Sequence, residues 1–94
     1  MDDKFILPVN YDSVKGLKRK AVREQYVEEQ KNKCWFCKSD LGKEPHKTKW
    51  INLRLFPPGF MKNPIHLHHS HDSGMTIGAV HAYCNAVLWQ YEGS

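Results

Sequence analysis

No apolar run in this sequence is long enough to span a membrane. The acidic start Met1-Asp2-Asp3-Lys4 is unlike the basic opening of a secretory leader, so neither a signal peptide nor a membrane partner is expected. There is no internal repeat and no low-complexity tract. Cysteine is sparse: three residues cannot all pair within one chain, and two of them sit in a Cys-x-x-Cys. That argues against a disulfide scaffold and for a metalloprotein of a reducing compartment, the cytoplasm. The chain is also short. Its 94 residues make one domain, expected over 1–94, and a domain of this size hides only about two-thirds of its unfolded surface. A core alone leaves it little margin.

What is present is a folded, basic composition. Hydrophobic residues are 40%, charged residues 26% and aromatics 12%. Lys plus Arg outnumber Asp plus Glu by 14 to 10, and six histidines are the unusual entry. Phe5, Ile6, Leu7 and Val9, interrupted by Pro8, read as an extended strap. Asp12 or Ser13 then caps a helix running to about Lys31, with Val14, Leu17, Ala21 and Tyr26 on one face and Asn32 closing it. The outer face carries Lys15, Lys18, Arg19, Lys20 and Arg23, which is either a phosphate-facing stripe or a solvated surface. The strap and basic helix thus occupy 1–31, and the remainder, 32–94, forms the core of the domain.

Cys34-Trp35-Phe36-Cys37 follows as a knuckle closed by Leu41-Gly42. Alternation of Ile51, Leu53 and Leu55 with Asn52 and Arg54 predicts a half-buried strand over 49–56. Ile65 to His69 reads as a strand, Ser70 to Gly74 as a turn and Thr76 to Val80 as its hairpin partner. Cys84 to Tyr91 reads as a helix that ends at Gly93. Trp35, Trp50, Trp89 and Tyr91 are assigned to packing, and His46 to a loop.

Cys34 and Cys37 need two more ligands to complete a tetrahedral zinc site, and His81 and Cys84 offer a second two-ligand clip. The set leaves no open position, which marks a structural site. A c-type haem motif requires His where Lys38 stands, and a thioredoxin-like pair lacks its βαβ context. The bland alternative is a packed His81 beside a buried, apolar Cys84.

Four histidines lie in His66-Leu67-His68-His69-Ser70-His71. With the knuckle before them and Asp72-Ser73-Gly74, Gly78-Ala79-Val80-His81-Ala82-Tyr83-Cys84-Asn85 after them, the chain resembles the HNH, or ββα-metal, endonucleases. The branch of the phage recombination endonuclease VII is the nearest in pattern, and the match runs over about 26–91. The resemblance implies an α+β fold, a small zinc-stapled ββα-metal domain with an N-terminal helix. It implies His69 as general base, His68 and Asn85 as ligands of a catalytic divalent metal (Mg²⁺, Mn²⁺, Ni²⁺ or Co²⁺), and His71 near the scissile phosphate. His66 has a supporting place.

The pattern departs from that branch at three positions. His81 stands where it usually has Cys, Ile77 where it has Arg, and His68 where it has Asp. A His-His pair at this place also resembles the nuclease colicins. The expected partner is DNA, held by the basic helix and Arg54, with a homodimer left open. The expected setting is a phage or mobile element acting in the host cytoplasm. A non-catalytic zinc-dependent nucleic-acid-binding module is the alternative, and a zinc-knuckle adaptor for other proteins a third. Strict alternation would send His68 and His69 to opposite faces, so the site requires the strand to end or twist there.

Overall fold

A computed structural model describes residues 4–93, so Met1 to Asp3 of the acidic start and Ser94 lie outside the described residues. The order of elements is a short 3₁₀ turn (Tyr11–Ser13), α1 (Leu17–Glu29), a second 3₁₀ turn (Leu53–Leu55), β1 (Ile65–His69), β2 (Thr76–His81) and α2 (Ala82–Glu92). This is a small α+β arrangement: one antiparallel hairpin with a helix from each end of the chain packed against it. Among the described residues, no helix is long and apolar enough to cross a membrane.

The strap is present. Phe5, Leu7 and Val9 pack on the core while Ile6 points outward. Gln25 of α1 grips the strap through both backbone groups of Phe5, at 2.8 and 2.9 Å. Further on, Val9 accepts from the Thr76 backbone N–H at 2.8 Å, and Asn10 bridges to Met75.

The first helix begins later than the capping residues suggest. Asn10, rather than Asp12 or Ser13, is the side chain that caps, and it caps the 3₁₀ turn. Gly16 then adopts φ +58° and no side chain caps α1, so helical periodicity does not extend back to Val14. This changes the buried face. Val22 and Tyr26 face the core, whereas Leu17 is 84% exposed and Ala21 faces solvent. The helix stops at Glu29, short of Lys31, with Gln30 as its cap; Lys31 (φ +55°) and Asn32 (φ +63°) follow in the left-handed region, so Asn32 has the expected conformation but Lys31 takes it first.

The strand expected over 49–56 does not form. Among the described residues β1 and β2 are the only strands, so this segment has no partner to pair with. Its backbone is taken up by α2 instead: Asn52 N–H donates to the Gln90 side chain at 2.8 Å, and Trp50 O accepts from Gln90 and Tyr91. Leu53 and Leu55 are 61% and 62% exposed, and Arg54 sits in a turn rather than on a strand face.

The hairpin follows its sequence pattern. Gly74 turns it with φ +75°, a value that favours glycine, and its N–H donates to Ser70 O at 2.9 Å. Ile65 pairs with His81, His66 with Val80, Leu67 with Ala79 and His68 with Gly78. His69 then pairs with Thr76, leaving Ile77 as an extra residue on β2. A bulge of this kind bends the strand and increases its local twist where His68 and His69 adjoin. α2 begins directly at the end of β2 and closes at Gly93 with φ +72°.

The Gln30 side chain, at the C-terminal cap of α1, and the backbone of the knuckle seat on β2. Gln30 exchanges two hydrogen bonds with Ala79, both 2.9 Å, and Trp35 N–H donates to Ala79 O at 2.9 Å. Gly78 makes this approach feasible, because a Cβ there would stand 3.0 Å from Trp35 Cβ and Cγ and 2.8 Å from Gln30 Oε1. Gly78→Ala is therefore expected to lose about 1–3 kcal/mol of stability by overpacking. A thermal or urea midpoint equal to wild type would contradict this seating.

Candidate metal centre and histidine cleft

The knuckle brings Cys34 and Cys37 together. Cys34 N–H donates to Ser39 O at 2.8 Å, Cys37 N–H points at Cys34 Sγ at 3.4 Å, and Lys33 bridges to Asp40. The other two candidate ligands straddle the junction of β2 and α2: His81 ends the strand and Cys84 lies in the first helical turn. The ligand atoms of Cys34, Cys37, His81 and Cys84 all lie within 4.8 Å of one another. Three of the four residues are buried and Cys37 is exposed. The site is therefore able to hold a metal ion.

Two observations test that fit. His81 Nε2 lies 2.9 Å from both Asp40 O and Lys43 O, so it carries the proton and donates. Nδ1 is thereby left with its lone pair, 3.5 Å from Cys37 Sγ and 3.6 Å from Cys84 Sγ. An S–N edge of a zinc tetrahedron is about 3.5 Å, given Zn–S of ~2.3 Å and Zn–N of ~2.0–2.1 Å. Carbonyls that orient a ligating imidazole from behind are a regular part of such sites. The sulfurs are the second: the hydrogen bond from Cys84 pulls the Cys34 thiol well below its ordinary value, while the same bond and then burial push Cys84 up, as for two sulfurs that share one proton at a place where a cation would hold both.

The histidines form a separate cleft of about 380 Å³. His66, His69, His71, Asn85 and Trp89 line it together with Tyr11, Phe60, Arg19 and Arg23. No carboxylate is among its lining residues, and two arginines are, so it suits an anion.

Asn85, in the first turn of α2, joins two of the histidines. With the amide oriented as assigned, Oδ1 lies 3.2 Å from His68 Nδ1 and Nδ2 lies 3.0 Å from His66 Nδ1. His68 is 2% exposed and does not line the cleft; its ring centroid is 5.8 Å from that of Trp35 and 6.1 Å from that of Trp89. At 3.2 Å His68 Nδ1 and Asn85 Oδ1 are within hydrogen-bond distance, so the two residues expected to share a divalent metal contact each other directly.

The bulge brings His69 to the same region. Its ring is 6.0 Å from Trp89 and 5.6 Å from His71, and it stacks on Tyr11 with centroids 3.8 Å apart. Burial lowers the pKa of His66, His68 and His69 below the ordinary imidazole value, with His71 a further cause at His69. All three are neutral near pH 7. His69 Nδ1 is buried without a hydrogen-bond partner, leaving Nε2 as the nitrogen available to the cleft.

The basic residues divide. Arg23 lines the cleft, as does Arg19, but Arg19 is also a structural clasp that donates to Val14 O and Tyr11 O at 2.9 and 3.0 Å. Lys15, Lys18, Lys20 and Arg54 are exposed and outside the cleft lining, and His46 is an exposed loop residue. Trp50 and Tyr91 are 71% and 47% exposed, so neither is a core residue as their aromatic character suggests. Trp89 walls the cleft, its ring 3.5 Å from His71. Its position one helical turn after Asn85 is a sequence signal for that face. Tyr11 has no comparable signal, since only the folded strap carries it to His69.

No protein-family model, no curated protein and no solved structure gives a significant match to this chain.

Proposed function

We propose that this chain is a metal-dependent DNA endonuclease of the HNH type, with structural zinc at Cys34, Cys37, His81 and Cys84. The observation that carries the reading is the convergence of neutral His69 and His66, with Asn85 and two arginines, on one acid-free cleft. Hydrolysis of a phosphodiester needs a base for water, charge on the phosphate oxygens and a neutralised leaving oxygen. His69 Nε2 accepts the proton of the attacking water, and its lowered pKa keeps it free to do so. Asn85 Nδ2 donates to His66 Nδ1, which places the His66 proton on Nε2, turned toward the Phe60 and Asn63 carbonyls, so that His66 fixes the Asn85 amide in the cleft. Arg23 and the remaining N–H groups of Arg19 hold the phosphate from α1. His71, against Trp89, stands beside the base. His68 and Asn85 would hold the divalent ion, which would supply Lewis-acid charge to the phosphate. Lys15, Lys18, Lys20 and Arg54 extend the contact along the DNA backbone. Such an enzyme works where DNA is, in the cytoplasm, and that of an infected host if a phage encodes it.

The test is cleavage of a supercoiled plasmid in Mg²⁺, Mn²⁺, Co²⁺ and Ni²⁺, beside a DNA-binding measurement. Cutting supports the reading. Binding without cutting in every ion replaces it with a non-catalytic nucleic-acid-binding module.

The imidazole at position 68 makes a further demand. It is softer than a carboxylate and uncharged, so Mn²⁺, Co²⁺ and Ni²⁺ are expected to outperform Mg²⁺ at equal concentration. His68→Asp is expected to move the ratio of rates toward Mg²⁺ while cleavage persists. An unmoved ratio removes His68 from the metal site.

A further inference from the structure

The strap ends at Tyr11, whose ring lies against His69 with planes only 10° apart and centroids 3.8 Å apart. The guanidinium carbon of Arg19 is 3.7 Å from the same Tyr11 centroid. Two groups this near one ring centre cannot share a face, so Tyr11 is sandwiched between the arginine and the histidine. The sandwich is tied to backbone on several sides. Arg19 donates to Val14 O and to Tyr11 O, and the Tyr11 N–H donates to Gly74 O at 2.8 Å in the turn between the two strands.

His69 needs such a holder. An imidazole acting through Nε2 is ordinarily aimed by a hydrogen bond at Nδ1, which also fixes its tautomer. At His69 that nitrogen is buried with no partner among the described residues. The Leu67 carbonyl lies near the ring without meeting hydrogen-bond geometry at Nδ1, so the ring torsions lean on packing, and the face of Tyr11 is the surface stacked against the ring.

We propose that Tyr11 is a positioning residue for the base, its ring clamping the His69 imidazole so that Nε2 meets the cleft. The assignment rests on the endonuclease reading for its catalytic half and on the stack for its structural half. Nothing in the stack requires the Tyr11 hydroxyl. The aromatic face is what counts, so Tyr11→Phe should preserve the device and Tyr11→Leu should remove it while keeping an apolar plug.

The experiment compares wild type, Tyr11→Phe and Tyr11→Leu for metal content, thermal midpoint, kcat and KM on duplex DNA, and the NMR shifts of the His69 ring protons. Tyr11→Leu is expected to lower kcat by about 100-fold, the scale of a misplaced reacting group, with KM little changed. Tyr11→Phe should match wild type. The His69 ring protons should be shifted upfield by the stacked ring in wild type and Tyr11→Phe, and return downfield in Tyr11→Leu.

Tyr11→Leu cutting at the wild-type rate overturns the proposal, and so does a raised KM at unchanged kcat, which would make the strap a DNA contact. The ring shifts are read without DNA, so the two layers separate. A missing upfield shift in wild type overturns the clamp whether or not the protein cuts. A shift present in protein that cuts nothing in any ion overturns the endonuclease reading and, with it, the role of Tyr11 in aiming a base.

Discussion

His69→Ala is expected to abolish plasmid cleavage while metal content and DNA affinity stay near wild type. A positioned base contributes about 10²–10⁴-fold to a hydrolytic rate, and here no second group is placed to take over. His71 is the nearest candidate, but its ring is packed on Trp89 at 3.5 Å. On the proposed reading Arg23 and Arg19 would hold the phosphate, so binding should survive and the defect belongs in kcat rather than KM. The pH profile carries a sign as well. A base must be neutral to act, and burial and His71 depress the His69 pKa. The acid limb of the wild-type profile should therefore fall below the pH at which an ordinary imidazole titrates. A variant that cuts at the wild-type rate, or a limb above the ordinary imidazole range, would count against His69 as the base.

Cys37→Ser is expected to unfold the domain rather than slow it. Zinc binding at structural sites in small peptides is worth on the order of 10–16 kcal/mol, while a whole domain is stable by only about 5–15 kcal/mol. Cys37 is the informative ligand to change because its side chain is exposed, unlike Cys34 and Cys84. Replacing it leaves no cavity in the core, so the loss reports on the metal rather than on packing. Wild-type protein should carry about one tightly held zinc equivalent and should lose its cooperative transition on strong chelation. A zinc-free preparation with a normal thermal transition would refute a structural zinc at this site.

The ligand quartet was legible in the sequence because each half is a local clip, and the hairpin was legible because its alternation ends at turn-forming residues. The same rule misread residues 49–56. Ile51, Leu53 and Leu55 alternate as a strand does, but alternation does not supply a partner, and Gln90 and Tyr91 of α2 took the backbone groups instead. Helical spacing from Val14 through Leu17 failed for a different reason, since Gly16 in the left-handed region interrupts it. Within the site, the convergence of His66 and His68 on Asn85 follows from strand alternation and the first turn of α2. The turning of His69 depends on a bulge at Ile77, and its backing depends on Tyr11. Both are products of long-range pairing that no local pattern encodes.

The contacts of Gln30 and Trp35 with Ala79 bear on how copies of the chain can meet. A hairpin offers unpaired peptide groups along its outer edges, and such edges recruit strands from other molecules. On β2 those groups are already occupied: Val9 O takes the Thr76 N–H, Gln30 takes the Ala79 N–H, and Ala79 O receives both Gln30 and Trp35. The side-chain amide of Gln30, the residue that caps α1, thus stands in for part of a missing third strand. Sheet-to-sheet extension through this edge is closed, and any pairing of copies has to use another surface. The same contacts prevent sliding. A one-residue slip of β2 would turn His81 to the opposite face and strip Ala79 of its partners, so the metal centre and the hairpin keep a single register together.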